Sequence, residues 1–301
     1  RLVAVCDTNA ARARQIAAQL GCRAIPDVRA LTGLVEAASV AVPTNSHYAI
    51  GHQLLEAGIH VLMEKPIAST LPEADQLLRL SRRTRCILQV GHIERFNAAV
   101  QAAKAYLTHP RFIEVHRLSP YPFRGLDVSV ILDVMIHDLD LILALVPSQP
   151  VRVEAVGVPV LSPSEDIANV RLVFASGCVA NLTASRISDE TMRRIRLFQE
   201  DCYLSIDARH QTVEIARKIG RHIRRRTLTV TPRPPLNEEL AAFLKAVAMN
   251  RRPRLPAPRM SLRQRELAQQ AGVSGEEARE ALALALRIER AMRAGHQRPR
   301  E

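Results

Sequence analysis

The chain of 301 residues contains no tryptophan, and aromatic residues make up only 3% of it. Aliphatic residues must therefore do most of the packing, and a hydrophobic share of 47% is enough for a substantial core. The length predicts two domains. No signal peptide is visible, and no uninterrupted apolar run reaches the roughly 20 residues that a spanning helix needs. These absences predict a protein without a membrane partner.

The five cysteines form no C-x-x-C pair and show no His/Cys spacing typical of a metal site. Reduced thiols in or beside strands account for them better than disulfides do. We therefore expect no metal and a cytoplasmic location. A glycine-rich G-x-G-x-x-G turn is also absent, and the chain begins at Arg1, already close to a strand-like run. This start predicts that a first strand and its glycine-rich turn are missing.

Acidic residues are outnumbered, and the formal net charge is +12. Much of the basic excess lies in 217–233, a β-rich segment without the interleaved aromatic residues on which bases stack. This composition favours a solvated basic edge over nucleic-acid binding. A phosphate-bearing substrate or an acidic partner would also prefer such a surface.

The first 97 residues alternate short apolar strands with helices. Strands are expected at Leu2–Val5, Val40–Val42, His60–Met63 and Cys86–Val90, and helices at Ala10–Leu20, His47–Ala57 and Pro72–Arg83. This alternation predicts a parallel sheet with right-handed crossovers. Residues 1–97 are therefore expected to form an α/β, Rossmann-type domain whose first strand is absent.

Residues 98–301 have a different pattern, in which consecutive strands are separated by tight turns. Strands are expected at Phe112–Leu118, Val151–Val160, Asn169–Phe174, Cys178–Ser185, Arg193–Gln199 and Tyr203–Asp207. They predict an α+β domain with an antiparallel sheet, one face of which is open to a partner subunit. Helices are expected at Val128–Leu145, Asn237–Met249 and Gly275–Ala294, with a surface excursion at Asn250–Gly272.

Two polar positions follow the first two predicted strands. Asp7 lies where an acidic residue of a dinucleotide-binding fold accepts hydrogen bonds from ribose hydroxyls, which favours NAD over NADP. Alternatively, Asp7 caps the following helix, although Thr8 or Asn9 could do so. The second position is a strand-to-helix turn, Pro43-Thr44-Asn45-Ser46-His47, in which Thr44, Asn45 or Ser46 is expected to cap the helix. On spacing alone, the functional interpretation of His47 is the weaker one.

The tripeptide Glu64-Lys65-Pro66 ends the strand His60–Met63. Strands of open α/β sheets end at the edge where ligands bind. A lysine before proline is held extended, which fixes the direction of its ammonium group, and the Lys65–Pro66 bond is a candidate for the cis form. These features favour a functional site over a plain polar turn.

Two further polar clusters lie near the domain boundary. The segment Gly91–Asn97 can present Arg95 and Asn97 to an anionic or hydroxylated ligand, or it is a polar hinge. In the helix expected at Val128–Val146, Asp133, His137 and Asp140 are spaced to share one face. Charged groups on an apolar helix are costly unless paired or functional. A lysine, a histidine and an aspartate of this kind are the parts of an acid–base site.

These motifs, in this order, resemble those of the NAD(P)-dependent sugar oxidoreductases typified by glucose-fructose oxidoreductase and inositol 2-dehydrogenase. The elements that carry the resemblance are Asp7, Pro43-Thr44-x-x-His47, Glu64-Lys65-Pro66 and Asp133-x-x-x-His137-x-x-Asp140. The segments Gly91–Asn97 and Leu132–Asp138 are most similar to the branch of the family that acts on UDP-N-acetylglucosamine. The resemblance covers nearly the whole chain.

The resemblance implies oxidation of a secondary hydroxyl, at C3 of a UDP-N-acetylglucosamine-type sugar, in the synthesis of surface glycan or lipid A precursors. It implies NAD as cofactor, and a homodimer or homotetramer formed through the open sheet. Site roles are carried over for three groups: Lys65 and His137 as the acid–base pair; Arg95, Asn97, Asp133 and Asp140 at the substrate; and Asp7, Pro43, Thr44, His47, Glu64 and Lys65 at the cofactor. The alternatives are another sugar or inositol dehydrogenase of the family and a truncated protein that keeps the fold without catalysis.

Overall fold

The computed structural model describes residues 1–122, 128–250 and 272–296. The chain divides into two compact units, Arg1–Gly91 with the described part of Ala241–Arg279, and His92–Leu240 with the described part of Glu280–Glu301. The first unit ends at Gly91, six residues before the division expected at 97/98, and it also includes a later segment. The excursion expected at Asn250–Gly272 lies outside the described residues except for its two ends.

The first unit is built from parallel strands and the helices that connect them. Its elements are β1 (Ala4–Cys6), α1 (Ala10–Leu20), β2 (Arg23–Ile25), β3 (Ala37–Val40), α2 (Thr44–Glu56), β4 (His60–Met63), α3 (Leu71–Thr84) and β5 (Leu88–Val90). Strands β1 and β2 pair in parallel, and β3, β4 and β5 form a second parallel sheet in that order. The predicted parallel topology is confirmed, and β2 is an additional strand.

Local sequence explains where the helices of this unit begin and end. The Asn9 side chain caps α1 by accepting from the backbone of its first turn, and Gly21 ends that helix at φ 63°, a conformation that glycine adopts readily. Helix α3 begins with a capping box, in which the side chains of Thr70 and Glu73 bond to each other's backbone N–H groups. These signals fix the helices that separate the strands.

The second unit contains one eight-stranded sheet. Its strands are β6 (Phe112–Leu118), β7 (Pro150–Val158), β8 (Ile167–Phe174), β9 (Val179–Ser185), β10 (Met192–Phe198), β11 (Cys202–Asp207), β12 (Thr212–Ile219) and β13 (His222–Leu228). The spatial order is β13-β12-β11-β10-β6-β9-β8-β7. All neighbours are antiparallel except β6 and β9, which are parallel. The predicted antiparallel sheet is therefore a mixed one.

Helices cover one face of this sheet. They include α4 (Ala98–Lys104) and α5 (Ile136–Leu145), while α6 (Pro235–Asn250) and α7 (Gly275–His296) each contribute residues to both units. Alternate residues of β6, such as Ile113 and Val115, join Leu139 and Ile142 of α5 in the apolar core. The other face carries half-exposed polar and aromatic residues. The sheet thus has the one-sided burial expected of an open face.

Candidate active site

The carboxyl ends of three parallel strands meet at one edge of the sheet in the first unit. The register pairs Val40 with Met63 and Met63 with Val90. The residues that follow the three strands therefore lie side by side; they are Pro43 and Thr44 after β3, Glu64 and Lys65 after β4, and Gly91 after β5. This edge is where open α/β sheets bind their ligands.

The turn that carries Lys65 is held by its neighbours. Its peptide bond to Pro66 is cis, in agreement with the sequence-based expectation. The Glu64 N–H donates to the Val40 carbonyl oxygen at 2.9 Å. A Cβ atom on Gly91 would lie 3.1 Å from a carboxylate oxygen of Glu64 and 3.5 Å from its Cα atom, so glycine leaves room for this side chain. Half-buried Lys65 consequently projects from a constrained backbone.

His47 joins this turn to the turn after β3. The imidazole is 1% exposed, and its Nδ1 atom lies 2.7 Å from the Pro66 carbonyl oxygen. Its Nε2 atom lies 2.9 Å from the Val42 carbonyl oxygen. A second link is the Ser69 hydroxyl, which donates to the Thr44 carbonyl at 3.3 Å. Buried His47 thus links the turn after β3 to the turn after β4 through two backbone carbonyl groups. Sequence spacing did not reveal this role.

The expected capping of α2 by Thr44, Asn45 or Ser46 is wrong. The helix already begins at Thr44, its N-cap residue is Pro43, and no side chain makes a capping hydrogen bond there. Because the residues expected to cap lie inside the first turn, their hydroxyl and amide groups cannot serve. No side chain therefore caps the first-turn N–H groups of α2, which begins at the sheet edge where Lys65 lies.

Asp7 follows β1 and does not cap α1, because Asn9 holds that position. One carboxylate oxygen of Asp7 accepts the Asn9 N–H at 2.8 Å, and the other lies 3.7 Å from the Arg12 guanidinium. The side chain keeps 31% of its surface exposed. Asp7 is therefore placed as an acceptor at the end of a parallel strand.

A cleft of about 1320 Å³ in the first unit is lined by β1 and β3 along their whole length, from Arg1 to Thr8 and from Leu34 to Pro43. It is larger than the ~300–1,000 Å³ of ordinary small-molecule sites. Asp7, the expected acceptor of the ribose hydroxyls, is among the residues that line this cleft. Within the described residues, no group of three His, Cys, Asp or Glu side chains could hold a metal ion.

The second unit carries His137 in the first turn of α5. A π-helical turn, Ile131–Met135, precedes this helix and contains Asp133. Both side chains are half-buried. The imidazole of His92, 1% exposed, packs edge-on against His137 with ring centroids 6.2 Å apart. Sequence reasoning missed His92, for which the only signal was its place in a polar segment after a strand.

Two of the expected substrate residues make strong bonds within the protein. Asp140 is 1% exposed and accepts both Nε and Nη2 of Arg95, at 2.6 and 2.8 Å. Asn97 caps α4 by accepting the Ala99 N–H at 3.0 Å, and its amide donates to the Ala208 carbonyl at 2.8 Å. These bonds fix the segment that carries Arg95, which retains 14% exposure.

A buried ion network lies beside these residues. Arg117 donates two hydrogen bonds to Asp138, at 2.7 and 2.8 Å, and one to Glu94 at 2.9 Å. All three side chains are less than 10% exposed. Burial alone would lower the pKa of Arg117, but the charges and hydrogen bonds of Asp138 and Glu94 outweigh it and raise that pKa. The network ties Asp138, the neighbour of His137, to the segment containing His92.

The structure thus distributes the expected site residues between its two units. The first unit contains Asp7, Pro43, Thr44, His47, Glu64 and Lys65, and the second contains Arg95, Asn97, Asp133, His137 and Asp140. In the first, the residues after β3 and β4 share one edge. In the second, His137 and Asp133 belong to one helical segment.

Comparison with known families identifies the class of protein that this fold represents. Residues 1–92 match the oxidoreductase family with an NAD-binding Rossmann fold, GFO_IDH_MocA, and residues 99–204 match the GFO/IDH/MocA C-terminal domain. An NAD-binding oxidoreductase fits the parallel sheet, the carboxylate after β1 and the constrained lysine. Among the described residues, every helix is too short or too polar to cross a membrane.

The chain belongs to the Gfo/Idh/MocA oxidoreductase family. It is 39% identical over 258 residues to UDP-N-acetylglucosamine 3-dehydrogenase of Acidithiobacillus ferrooxidans. The aligned region covers 83% of this chain and 82% of that protein. Inositol 2-dehydrogenase of Rhizobium meliloti is 28% identical over 62% of this chain and 61% of its own length.

Solved structures agree with this assignment. The A. ferrooxidans UDP-N-acetylglucosamine 3-dehydrogenase superposes with a TM-score of 0.87 and 38% identity, covering 97% of this chain and 90% of the other. An inositol dehydrogenase homologue from Azotobacter vinelandii, complexed with NADH and myo-inositol, has a TM-score of 0.84 at 20% identity, covering 98% and 88%. The second likeness concerns the fold alone.

Proposed function

We propose that this protein oxidises the C3 hydroxyl of a UDP-N-acetylglucosamine-type nucleotide sugar with NAD. The observation that carries the proposal is the 39% identity to UDP-N-acetylglucosamine 3-dehydrogenase across 83% of the chain. The position of Lys65 adds a chemical reason, since it follows β4 at the edge where parallel sheets bind their ligands. The product would be a 3-keto sugar, an intermediate for surface glycan or lipid A precursors.

NAD would be held by residues at the ends of β1, β3 and β4. Asp7 would accept the ribose hydroxyls, and its charge would repel the 2′-phosphate of NADP. Pro43 and Thr44 would lie along the cofactor, with His47 and Glu64 holding their turns in place. When bound, the nicotinamide supplies the acceptor for the hydride of the sugar carbon.

Lys65 and His137 are the proposed acid–base groups. As the hydride leaves the carbon, one of them takes the hydroxyl proton, and a C=O bond replaces the C–O single bond. Asp133 would orient the imidazole or bind a sugar hydroxyl. Arg95, backed by Asp140, would face the substrate, and Asn97 would hold its segment through the bonds described above.

The first experiment titrates NADH into the 301-residue chain and follows its fluorescence. Binding at micromolar concentration is expected. The absence of binding would support the alternative that this chain keeps the fold without catalysis, because its sequence contains no G-x-G-x-x-G turn.

The second experiment follows NADH absorbance with UDP-N-acetylglucosamine, myo-inositol and glucose. Turnover should be far faster with the nucleotide sugar. Lys65→Ala should lower kcat by about 10²–10⁴-fold while NADH affinity stays near normal. Lys245→Ala, which removes an exposed ammonium group from α6, is the matched control and should retain full turnover. A preference for myo-inositol would overturn the substrate assignment, and unchanged turnover in Lys65→Ala would overturn the catalytic one.

We also propose that copies of the chain associate through the open face of the eight-stranded sheet. On that face Phe112, Phe198 and Tyr203 form a row across three strands, with ring centroids 5.6 and 4.9 Å apart. Arg196 and Glu114 pair beside the row at 2.8 Å. Light scattering after gel filtration should show a dimer or tetramer that Phe198→Asp disrupts. A monomeric wild-type protein would contradict this proposal.

A cytoplasmic location is part of the same proposal. It is supported by the five cysteines, all of which are free thiols. Fractionation of expressing cells, with a tagged chain, should recover the protein with cytoplasmic enzymes. Recovery in an oxidising compartment would contradict it.

A further inference from the structure

The β12–β13 hairpin ends the eight-stranded sheet of the second unit. A two-residue turn, Gly220–Arg221, joins its strands, and Gly220 has φ 60°. Ile219 and His222 pair across the strands directly before the turn. Within the part of the chain that the structure describes, β13 has a strand neighbour on one side only. The hairpin therefore forms one edge of the sheet.

Positive charge dominates this hairpin. Between positions 217 and 226 it contains six lysine and arginine residues and no acidic residue, the basic residues being Arg217, Lys218, Arg221, Arg224, Arg225 and Arg226. All residues from 218 to 227 are exposed. Cross-strand pairing places Arg217 opposite Arg224, a repulsive arrangement that contributes nothing to sheet stability. So dense a charge at one edge predicts an anionic partner.

The inner base of the hairpin is fixed by an aromatic ring. The guanidinium groups of Arg217 and Arg226 lie 5.7 and 5.4 Å from the centroid of Tyr106, and Arg226 also donates to its hydroxyl at 3.0 Å. Arg217 is further paired with Asp201 at 3.4 Å. These contacts anchor two of the six cations. The remaining charges of the hairpin, Lys218, Arg221, Arg224 and Arg225, are all exposed.

Two large aliphatic side chains accompany these charges at the tip. Ile223 is 69% exposed, more than any other large hydrophobic residue in the described part of the chain, and Ile219 is 55% exposed. Isolated exposed aliphatic residues need no explanation. The register pairs Ile219 with His222 and Ile223 with Lys218, so the two side chains lie on opposite faces of the hairpin, close to its turn. A tip that entered a lipid surface end-on would place both of them below a layer of anionic head groups, with arginines around them.

We propose that the tip of the β12–β13 hairpin docks the protein end-on on an anionic lipid surface, with Ile219 and Ile223 in the head-group region and Arg221, Arg224 and Arg225 on phosphates. Nucleic acid would use the charges but not the isoleucines, and Tyr106 is already occupied by guanidinium groups. A second copy meeting this edge symmetrically would bring like charges together. The proposal revises the expectation of no membrane partner, since peripheral docking needs no spanning helix.

Co-sedimentation with vesicles tests the proposal on the 301-residue protein. Binding is expected to vesicles of phosphatidylcholine with phosphatidylglycerol, to decrease with added salt, and to be absent with phosphatidylcholine alone. The triple variant Arg221→Gln, Arg224→Gln, Arg225→Gln should weaken binding at least tenfold. The matched control Arg14→Gln, Arg79→Gln, Arg290→Gln removes three exposed helical arginines and should weaken it less than twofold.

A fluorescent reporter distinguishes insertion from loose charge attraction. Because the chain has no tryptophan, Ile223→Trp introduces a single indole at the hairpin tip. Its emission should shift to shorter wavelength on adding the anionic vesicles. Leu161→Trp, at another strongly exposed position (63%), should not shift.

Four results would overturn the proposal. They are equal loss of binding in the two triple variants, an unshifted Ile223→Trp spectrum, retention on duplex DNA without retention on vesicles, and a change of oligomeric state in the hairpin variant. The last would assign this edge to contact between copies of the chain. Circular dichroism of each variant confirms that it is folded, so that a loss of binding reports on the hairpin itself.

Discussion

Replacing Arg117 by methionine tests whether the buried ion network beneath α5 stabilises the second unit. The guanidinium donates three hydrogen bonds, two to Asp138 and one to Glu94. The two carboxylates are 2% and 4% exposed, so the substitution would leave them buried without this partner. Breaking such a pair typically costs about 3–5 kcal/mol, a large part of the ~5–15 kcal/mol by which a domain is stable.

The assay is urea unfolding followed by circular dichroism, with hydrogen exchange of α5 peptides to locate the loss in the second unit. The matched control is Arg196→Met. Arg196 also pairs with a carboxylate at 2.8 Å, that of Glu114, but the two side chains remain 35% and 31% exposed. Partly solvated pairs contribute about 0–1 kcal/mol. The free energy of unfolding should therefore decrease several times more in Arg117→Met than in Arg196→Met.

A compensated variant separates the charge from the packing. Arg117→Met combined with Asp138→Leu and Glu94→Gln leaves no unpaired buried carboxylate of this network, and it should recover most of the lost stability. Equal destabilisation by Arg117→Met and Arg196→Met would refute the argument. Failure of the compensated variant to recover would show that shape, rather than charge, fixes this region.

Three further predictions follow from buried titratable groups. Burial lowers the pKa of His60 below 6.5, and its neutral ring accepts the Ile87 N–H at Nδ1, at 2.9 Å. The contribution of His60 to stability should be full above pH ~6.5 and should fall at lower pH, where the unfolded state takes up a proton more readily than the folded state. His60→Asn, which keeps an acceptor, should flatten the dependence of Tm on pH between ~7.5 and ~5. Hydrogen bonds from three backbone N–H groups and a buried arginine outweigh desolvation and lower the pKa of Asp166. Asp166→Asn should therefore lower the free energy of unfolding in urea by about 2–5 kcal/mol, and a loss below ~1 kcal/mol would contradict these hydrogen bonds. Burial raises the pKa of Cys178 to about 11, so the Cys178 thiol should react with iodoacetamide only when the protein unfolds. Exposed Cys6 should react in the native protein, and mass spectrometry of the labelled peptides measures both reactions.

Most of the fold is encoded in patterns short enough to recognise in the sequence. The bounds of α1, β4 and β6 agree with those expected, because a capping residue, a glycine or a strict alternation marks their ends. Strand β2 was missed, since three residues, Arg23–Ile25, carry no periodicity. Strands β12 and β13 were not delimited: β12 alternates apolar residues only at Val213 and Ile215, and in β13 arginines replace the apolar residues by which strands are recognised. The parallel pairing of β6 with β9 joins segments distant in sequence, and no local pattern indicates it.

The candidate site shows where sequence patterns lose their resolution. The order of motifs places Lys65 and His137, but it does not say whether a polar neighbour contacts a ligand or the protein. Asp140 and Arg95 bind each other through two hydrogen bonds, although each was expected at the substrate. The two residues lie 45 positions apart in the chain, and only the folded structure shows that they pair.

A motif rich in charge therefore has two physical uses that look identical in sequence. In the segment from Asp133 to Asp140, the side chains of Asp133 and His137 are half-buried, whereas those of Asp138 and Asp140, which follow them, are buried against arginines. The buried carboxylates hold the helix to its surroundings, because each leaves a large penalty if its arginine moves. That penalty fixes the helix that carries His137, as the acid–base role proposed for His137 requires. Exposure, rather than residue type, therefore separates the two buried carboxylates of this segment from the half-buried residues proposed for the reaction.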